Sequence, residues 1–347
     1  MTKMEWMERF AYAYANAYRY TDSIVWVNPT APTSARKKLE QHMELILFGV
    51  KDTDQIPMNA VRQLIEAPDF VWMTVDRMAP YGRAMDPGLT NPLTGRLMTG
   101  SSSGSALNIL RGIHDLAIVT DGGGSILGPA LATQLYGINA KGMGLTGLHP
   151  SRSTDGFSLE VGIGVISHSF AFAKSGIETL LCRTLDDHVE GLYIALDRAA
   201  PDNVEDLLRQ YGCTIRRFDK GDSYERTRGL SLMNELFNEN QVIISMEGPV
   251  DVKEYADSLV MDGRPDGLGG KFLLRSANLA NTTSVAVPGN KAASGFIVIA
   301  PSGVESGNHA IAVAGLLAKH YPRSALFEDY FLRRMRYGQT GFFHEGM

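Results

Sequence analysis

Two clusters of small residues carry the chemistry that this sequence can offer. One is Ser101-Ser102-Ser103-Gly104-Ser105; the other is Asp121-Gly122-Gly123-Gly124-Ser125, which places Ser101 and Ser125 24 residues apart. The first cluster reads as the opening of a helix over 103–112, whose unpaired N–H groups can face negative charge. The second follows the apolar run 116–119 and precedes another helix, so a strand delivers Ser125 to a helix start. Three glycines ahead of a serine permit unusual dihedrals and bring bare backbone N–H groups toward whatever the serine attacks, as an oxyanion hole requires. Acyl transfer through Ser125 is the chemistry indicated. A flexible linker does not fit, because apolar periodic sequence joins the two clusters.

Other motifs carry less. Gly142, Gly144 and Gly147 spell GxGxxG, but no clear strand precedes them and Pro150 follows closely, so the helix needed under a pyrophosphate is missing. Ser125 is not a GxSxG elbow, since Leu127 stands where glycine is needed. His114, His149 and His168 are scattered among apolar residues and read as structural, with a Ser/His pair left open. Asp186-Asp187-His188 reads as a solvated turn without metal-ligand spacing, so no metal and no cofactor is expected.

The two clusters resemble the tracts of the amidase signature enzymes. Thr99 to Gly104 is similar to that family's GGSSGG tract, and Thr120 to Ile126 to its (G/T)D(T/G)GGS(I/V) tract, at the family's spacing. Pro129-Ala130 and YGINAKGMGLTGLHPSR look like the usual continuation. Upstream, VRQLIEAPDFVWMTVDRMA with Asn91-Pro92, and near the end TTSVAVPGNKAASGFIVIAPSGVESGNHAIAVAGLLA, resemble the family's flanking elements. The resemblance implies Ser125 as nucleophile and Ser101 as a proton-relaying serine with a cis peptide bond, expected around Ser101–Ser102. It also implies that the N–H groups of Gly122, Gly123, Gly124 and Ser125 hold the oxyanion, with Ser102 and Asp121 beside them. A neutral lysine must then accept the proton, because a serine hydroxyl is a poor nucleophile at neutral pH.

In the family that lysine ends an apolar strand well before the first serine tract. Here SIVWV resembles that strand, and the residue after it is Asn28, whose amide cannot accept a proton as an amine does. Lys37 and Lys38 are the nearest alternatives, on what reads as the charged end of a helix. Leu127 replaces the usual arginine after the Ser-Ile pair, and the chain is expected to be shortened over 184–278, where the family builds much of its substrate pocket. Three functions stay open: a divergent serine amidase or acyl hydrolase, an acyltransferase or amide synthase, and a non-catalytic homologue that binds a ligand or partner.

The elements that must position these residues alternate. Helical spacing at 4–19, 34–47, 57–66 and 103–112 is interleaved with strand-like runs at 23–27, 70–75 and 116–119. Strands at 191–196, 214–218, 241–245, 283–287 and 295–300, with helices at 203–211 and 306–319, continue the alternation. One mixed α/β domain over 1–347 is expected, a central sheet with helices on both faces. Its 38 acidic and 33 basic residues leave a net charge of −5, dispersed along the chain, which argues against nucleic acid and membrane surfaces as partners. No apolar stretch spans a bilayer, and two cysteines, Cys182 and Cys213, suit a reducing compartment. The expectation is a cytoplasmic protein acting on a small amide or acyl substrate, with a homodimer possible.

Overall fold

The computed structural model describes residues 2–152, 156–251 and 270–334. Helix α1 (Lys3–Arg19) starts at a capping box in which Thr2 and Glu5 each satisfy the other's backbone N–H, and it buries Trp6, Phe10, Ala13 and Ala17 at helical spacing. Then follow β1 (Ile24–Val27), α2 (Ala31–Leu39), β2 (Ile46–Lys51), α3 (Met58–Glu66) and β3 (Phe70–Asp76). A small hairpin-like pair, β4 (Met85–Thr90) and β5 (Leu97–Thr99), precedes α4 (Ser103–Leu110), β6 (Leu116–Asp121), α5 (Leu127–Ala132) and β7 (Tyr136–Asn139). Next come β8 (Thr146–Arg152), β9 (Ser158–Ser167), α6 (Phe170–Leu181), β10 (Tyr193–Asp197), α7 (Asp202–Gln210) and β11 (Thr214–Phe218). Helix α8 (Arg226–Phe237), β12 (Val242–Glu247), β13 (Thr283–Pro288), β14 (Gly295–Ala300) and α9 (Val304–His320) complete the elements used below.

Twelve strands form one mixed sheet in the order β1-β3-β2-β6-β9-β7-β13-β14-β12-β10-β11, with β8 paired to β9. Its middle strands are buried on both faces, and alternate residues of each feed two cores. In β6, Leu116 and Ile118 join one apolar cluster with α3, α6 and α9; Ala117 and Val119 join the other with α4 and α5. The same division holds in β14, where Phe296 and Val298 face the first cluster and Ile297 and Ile299 the second. The expected sheet covered by helices on both faces is therefore present. Among the described residues no helix is long and apolar enough to cross a membrane.

One element differs from expectation. The helix read over 34–47 stops at Leu39, and residues 46–51 form β2, buried along its whole length and paired parallel to both β3 and β6. A strand buried on both faces shows a continuous apolar run without alternation, so periodicity cannot separate it from helix. Of the stretch expected to be shortened, 252–269 lies outside the described residues.

Candidate active site

Strand β2 ends in Lys51, a lysine that reaches Ser101. Lys51 Nζ lies 2.8 Å from Ser101 Oγ, 2.9 Å from Thr120 Oγ1 and 3.3 Å from the Thr120 carbonyl. The side chain is 2 % exposed. Burial disfavours the ammonium and pulls its pKa down to about 7, against a smaller opposing pull from the charge of Asp121. The parallel pairing of β2 with β6, Val50 opposite Ile118, brings the strand ends carrying Lys51 and Thr120 side by side.

Ser101 sits in the turn between β5 and α4. The Gly100–Ser101 peptide is cis, one bond upstream of the Ser101–Ser102 link where the sequence placed it. Gly100 N donates to the Ala84 carbonyl at 2.6 Å and Ala79 N donates to the Ser101 carbonyl at 2.9 Å, so the turn is held on both sides. A side chain at position 100 has no room: a Cβ there would lie 2.4 Å from the Arg83 carbonyl oxygen.

Beyond β6 the chain turns through Gly122, Gly123 and Gly124 to Ser125. Asp121 organises this turn: its carboxylate accepts from Gly124 N at 2.6 Å and from Ile126 N at 2.8 Å. It is fully buried, and burial raises its pKa against the pull of these amides and of Lys51. Gly124 adopts φ +103°, a conformation that side chains resist. Asp121 thus accepts the Gly124 hydrogen that the sequence reading assigned to an oxyanion. Gly122 and Gly123 remain as candidate donors. Both, with Gly124 and Ser125, line a cleft of ≈ 340 Å³ that also reaches Thr120 and Gly100.

The other candidates are placed elsewhere. Asn28 is not the counterpart of the base: its amide donates to the Trp72 carbonyl at 2.9 Å and accepts from Thr30 N at 3.0 Å, closing the turn into α2. It follows β1, the edge strand, whereas the lysine-bearing strand lies two places inward. Lys38 is engaged by the carbonyls of Ile65, Ala67 and Phe70 at 2.6 to 2.7 Å, and Lys37 is exposed. Ser102 is fully buried at the start of α4 and does not line the cleft. His114 pairs with Asp76 at 3.0 Å and His168 with Asp115 at 3.1 Å, while His149 is exposed on β8.

Sequence reasoning missed Lys51, Thr120 and the far wall of the cleft. That wall comes from the second half of the chain, where Leu274 packs against Gly124 and Arg226 lies over Gly123. A lysine closing the run Leu45 to Val50, just as charged Asp121 closes β6, is the signal that marks it.

The fold is that of the amidase signature enzymes. A bacterial aryl acylamidase of that family superposes with a TM-score of 0.65 at 16% identity, covering 98% of this chain and 96% of its own. A glutamyl-tRNA(Gln) amidotransferase chain from Thermotoga maritima gives 0.64 at 15% identity, over 93% of this chain and 95% of its own. An allophanate hydrolase from Kluyveromyces lactis gives 0.63 at 14% identity, over 93% of this chain and 71% of its own. No family model matches the sequence, and no curated protein matches it.

Proposed function

We propose that the protein is a serine hydrolase of amidase type that cleaves small amides through an acyl-Ser125 intermediate. The contact of Lys51 Nζ with Ser101 Oγ at 2.8 Å carries this reading, because it supplies the base that the mechanism needs. As a neutral amine Lys51 has two N–H groups and one lone pair. The two oxygens of Thr120 take the former, and the Ser101 hydroxyl donates to the latter.

Ser125 Oγ attacks the substrate carbonyl carbon and passes its proton to Ser101 Oγ, while the Ser101 proton moves to Lys51. The carbonyl oxygen gains negative charge facing the N–H groups of Gly122 and Gly123. Reversal of the relay protonates the leaving nitrogen as the carbon–nitrogen bond breaks. Water then attacks the acyl-serine, yielding its proton to the same relay, and releases the acid. An amine leaves only when protonated, so a base that becomes an acid matters more for amides than for esters. The amide chemistry named for the aryl acylamidase and the allophanate hydrolase of this fold agrees with that substrate class.

The test is labelling with a fluorophosphonate, read by intact mass, on wild type, Ser125→Ala and Lys51→Met. One adduct on wild type, none on Ser125→Ala and strongly slowed labelling of Lys51→Met is the expected pattern. Labelling that ignores both substitutions overturns the reading.

A further inference from the structure

The turn that carries Ser125 opens with three glycines, so no side chain of its own fixes how its peptides face. Its later part is held by Asp121, which takes the N–H groups of Gly124 and Ile126. Its first peptide is held from behind by Asn278, a residue that the relay does not use. Asn278 Nδ2 donates to the Glu160 carbonyl at 3.0 Å and to the Gly122 carbonyl at 3.4 Å. Both partners are carbonyl oxygens, which only accept, so the amide has one consistent orientation. Its Oδ1 accepts from Asn139 Nδ2 at 3.3 Å, and its own main-chain carbonyl accepts from Lys141 Nζ at 3.0 Å. Asn278 and Asn139 are 1 % and 0 % exposed, and neither lines the cleft. Strand β9 makes room for the pair at Gly162, the residue opposite Asp121. A Cβ there would collide with the Asn139 carboxamide and lie 2.8 Å from Asn278 Oδ1. Residues 139–141, 160–162 and 278 thus converge behind one peptide.

That peptide, Gly122–Gly123, is trans, and a planar trans peptide points its C=O and N–H to opposite sides. Turning the Gly122 carbonyl toward Asn278 therefore turns the Gly123 N–H the opposite way, and Gly123 lines the cleft beside Ser125. From this geometry we infer that Asn278 is a positioning residue, which aims the Gly123 N–H at the oxygen of the scissile carbonyl without touching substrate. This rests on the reading of the site as a serine amidase. A side chain that only tied strands together would be satisfied by Glu160 and Asn139; the second N–H of Asn278 goes instead to the turn of Ser125. A donor already aimed when substrate arrives costs no reorganisation as the charge develops, and that is the source of its effect. The Gly122 contact is long, so its worth lies in direction more than in strength.

The experiment compares 4-nitrophenyl butyrate with its thiono analogue, in which sulfur replaces the carbonyl oxygen, on the parent chain and on Asn278→Leu. Release of 4-nitrophenolate reads acylation of Ser125 by either ester. Sulfur accepts hydrogen bonds weakly, so the ratio of the two rates reports how well an N–H donor is aimed. Asn278→Leu keeps the side chain's bulk and removes both N–H groups. It is expected to lower kcat for the oxygen ester about 10- to 100-fold, with KM within about threefold, and to slow the thiono ester at least about fivefold less. Asn139→Ser, which removes the bond to Asn278 Oδ1, should move the ratio the same way by a smaller factor, and it takes the place of Asn278→Leu should that variant not melt cooperatively. Equal slowing of both esters within about twofold, as a general loosening of the fold would give, or an unchanged kcat for the oxygen ester, overturns the proposal. A parent chain that turns over neither ester overturns it as well. Fluorophosphonate labelling of the parent chain, lost in Ser125→Ala, reports separately on the amidase reading, so the two failures are distinguishable.

Discussion

Lys51 is buried with hydroxyl and carbonyl oxygens as its hydrogen-bond partners, and that environment favours its neutral form, as the proposed base requires. With a pKa of about 7, the amine becomes neutral as pH rises through that value. Activity should therefore climb on the acid side of a limb centred near pH 7 and level off above it, which kcat/KM against pH measures directly. Lys51→Met should lose the limb and cost about 10²- to 10⁴-fold in amide turnover, the usual worth of a positioned proton-transfer group. Asn28→Lys should restore nothing to that variant. It should instead cost about 1–2 kcal/mol in urea unfolding, because the Asn28 side chain closes the turn into α2 through Trp72 and Thr30. Rescue of Lys51→Met by Asn28→Lys would contradict the assignment of the base.

At the level of elements, the two serine-bearing turns depend on how closely α4 approaches the rest of the fold. Gly104 in its first turn faces backbone: a Cβ there would lie 2.5 Å from the Arg77 carbonyl oxygen and 2.8 Å from that of Ser23. Backbone cannot swing aside as a side chain can, so Gly104→Ala should destabilise by about 1–3 kcal/mol. It should also shift Ser101 away from Lys51, seen as slowed labelling of Ser125 in protein that remains folded. The strand and helix pattern was legible wherever one element carried one period: 214–218 and 295–300 are read as strands at the bounds that β11 and β14 adopt. It failed at β2 for a definite reason. Charged residues at 36–38 end α2, and the apolar run after them has no alternation, so one long helix absorbed both. With β2 hidden, 23–27 and 70–75 were the strands read before the serine tracts, and Asn28, next after the first of them, was set where the structure brings Lys51 to Ser101. Ser101, Asp121 and the glycine turn were legible because their spacing is local. Arg226, Lys271 and Arg275 were not, because only the tertiary fold brings residues 226 and 275 to residue 123.

Across the whole molecule, two buried groups give stability opposite dependences on pH. Glu247 is raised by burial from 4.5 to about 7, so the native state holds its proton longer than the unfolded chain does; its contribution is present below pH 4.5 and lost as pH rises to about 7. Lys51 is lowered from 10.5 to about 7, so the unfolded chain binds the extra proton between those values; its contribution is present above pH 10.5 and lost as pH falls to about 7. Both penalties coincide near neutrality. Thermal unfolding scanned from pH 5 to 10 should show a shallow minimum of Tm near pH 7, and Lys51→Met with Glu247→Gln should flatten it. The cleft itself joins two regions of chain with separate tasks. Lys51, Ser101, Thr120 and Ser125 come from one continuous stretch of the first half, while Arg226, Leu274 and Arg275, which line the cleft, come from the second. Inheritance can act on these regions independently. Substitution among those second-half residues would reshape the lining of the cleft while leaving Lys51, Ser101 and Ser125 in place, so the two regions can change separately.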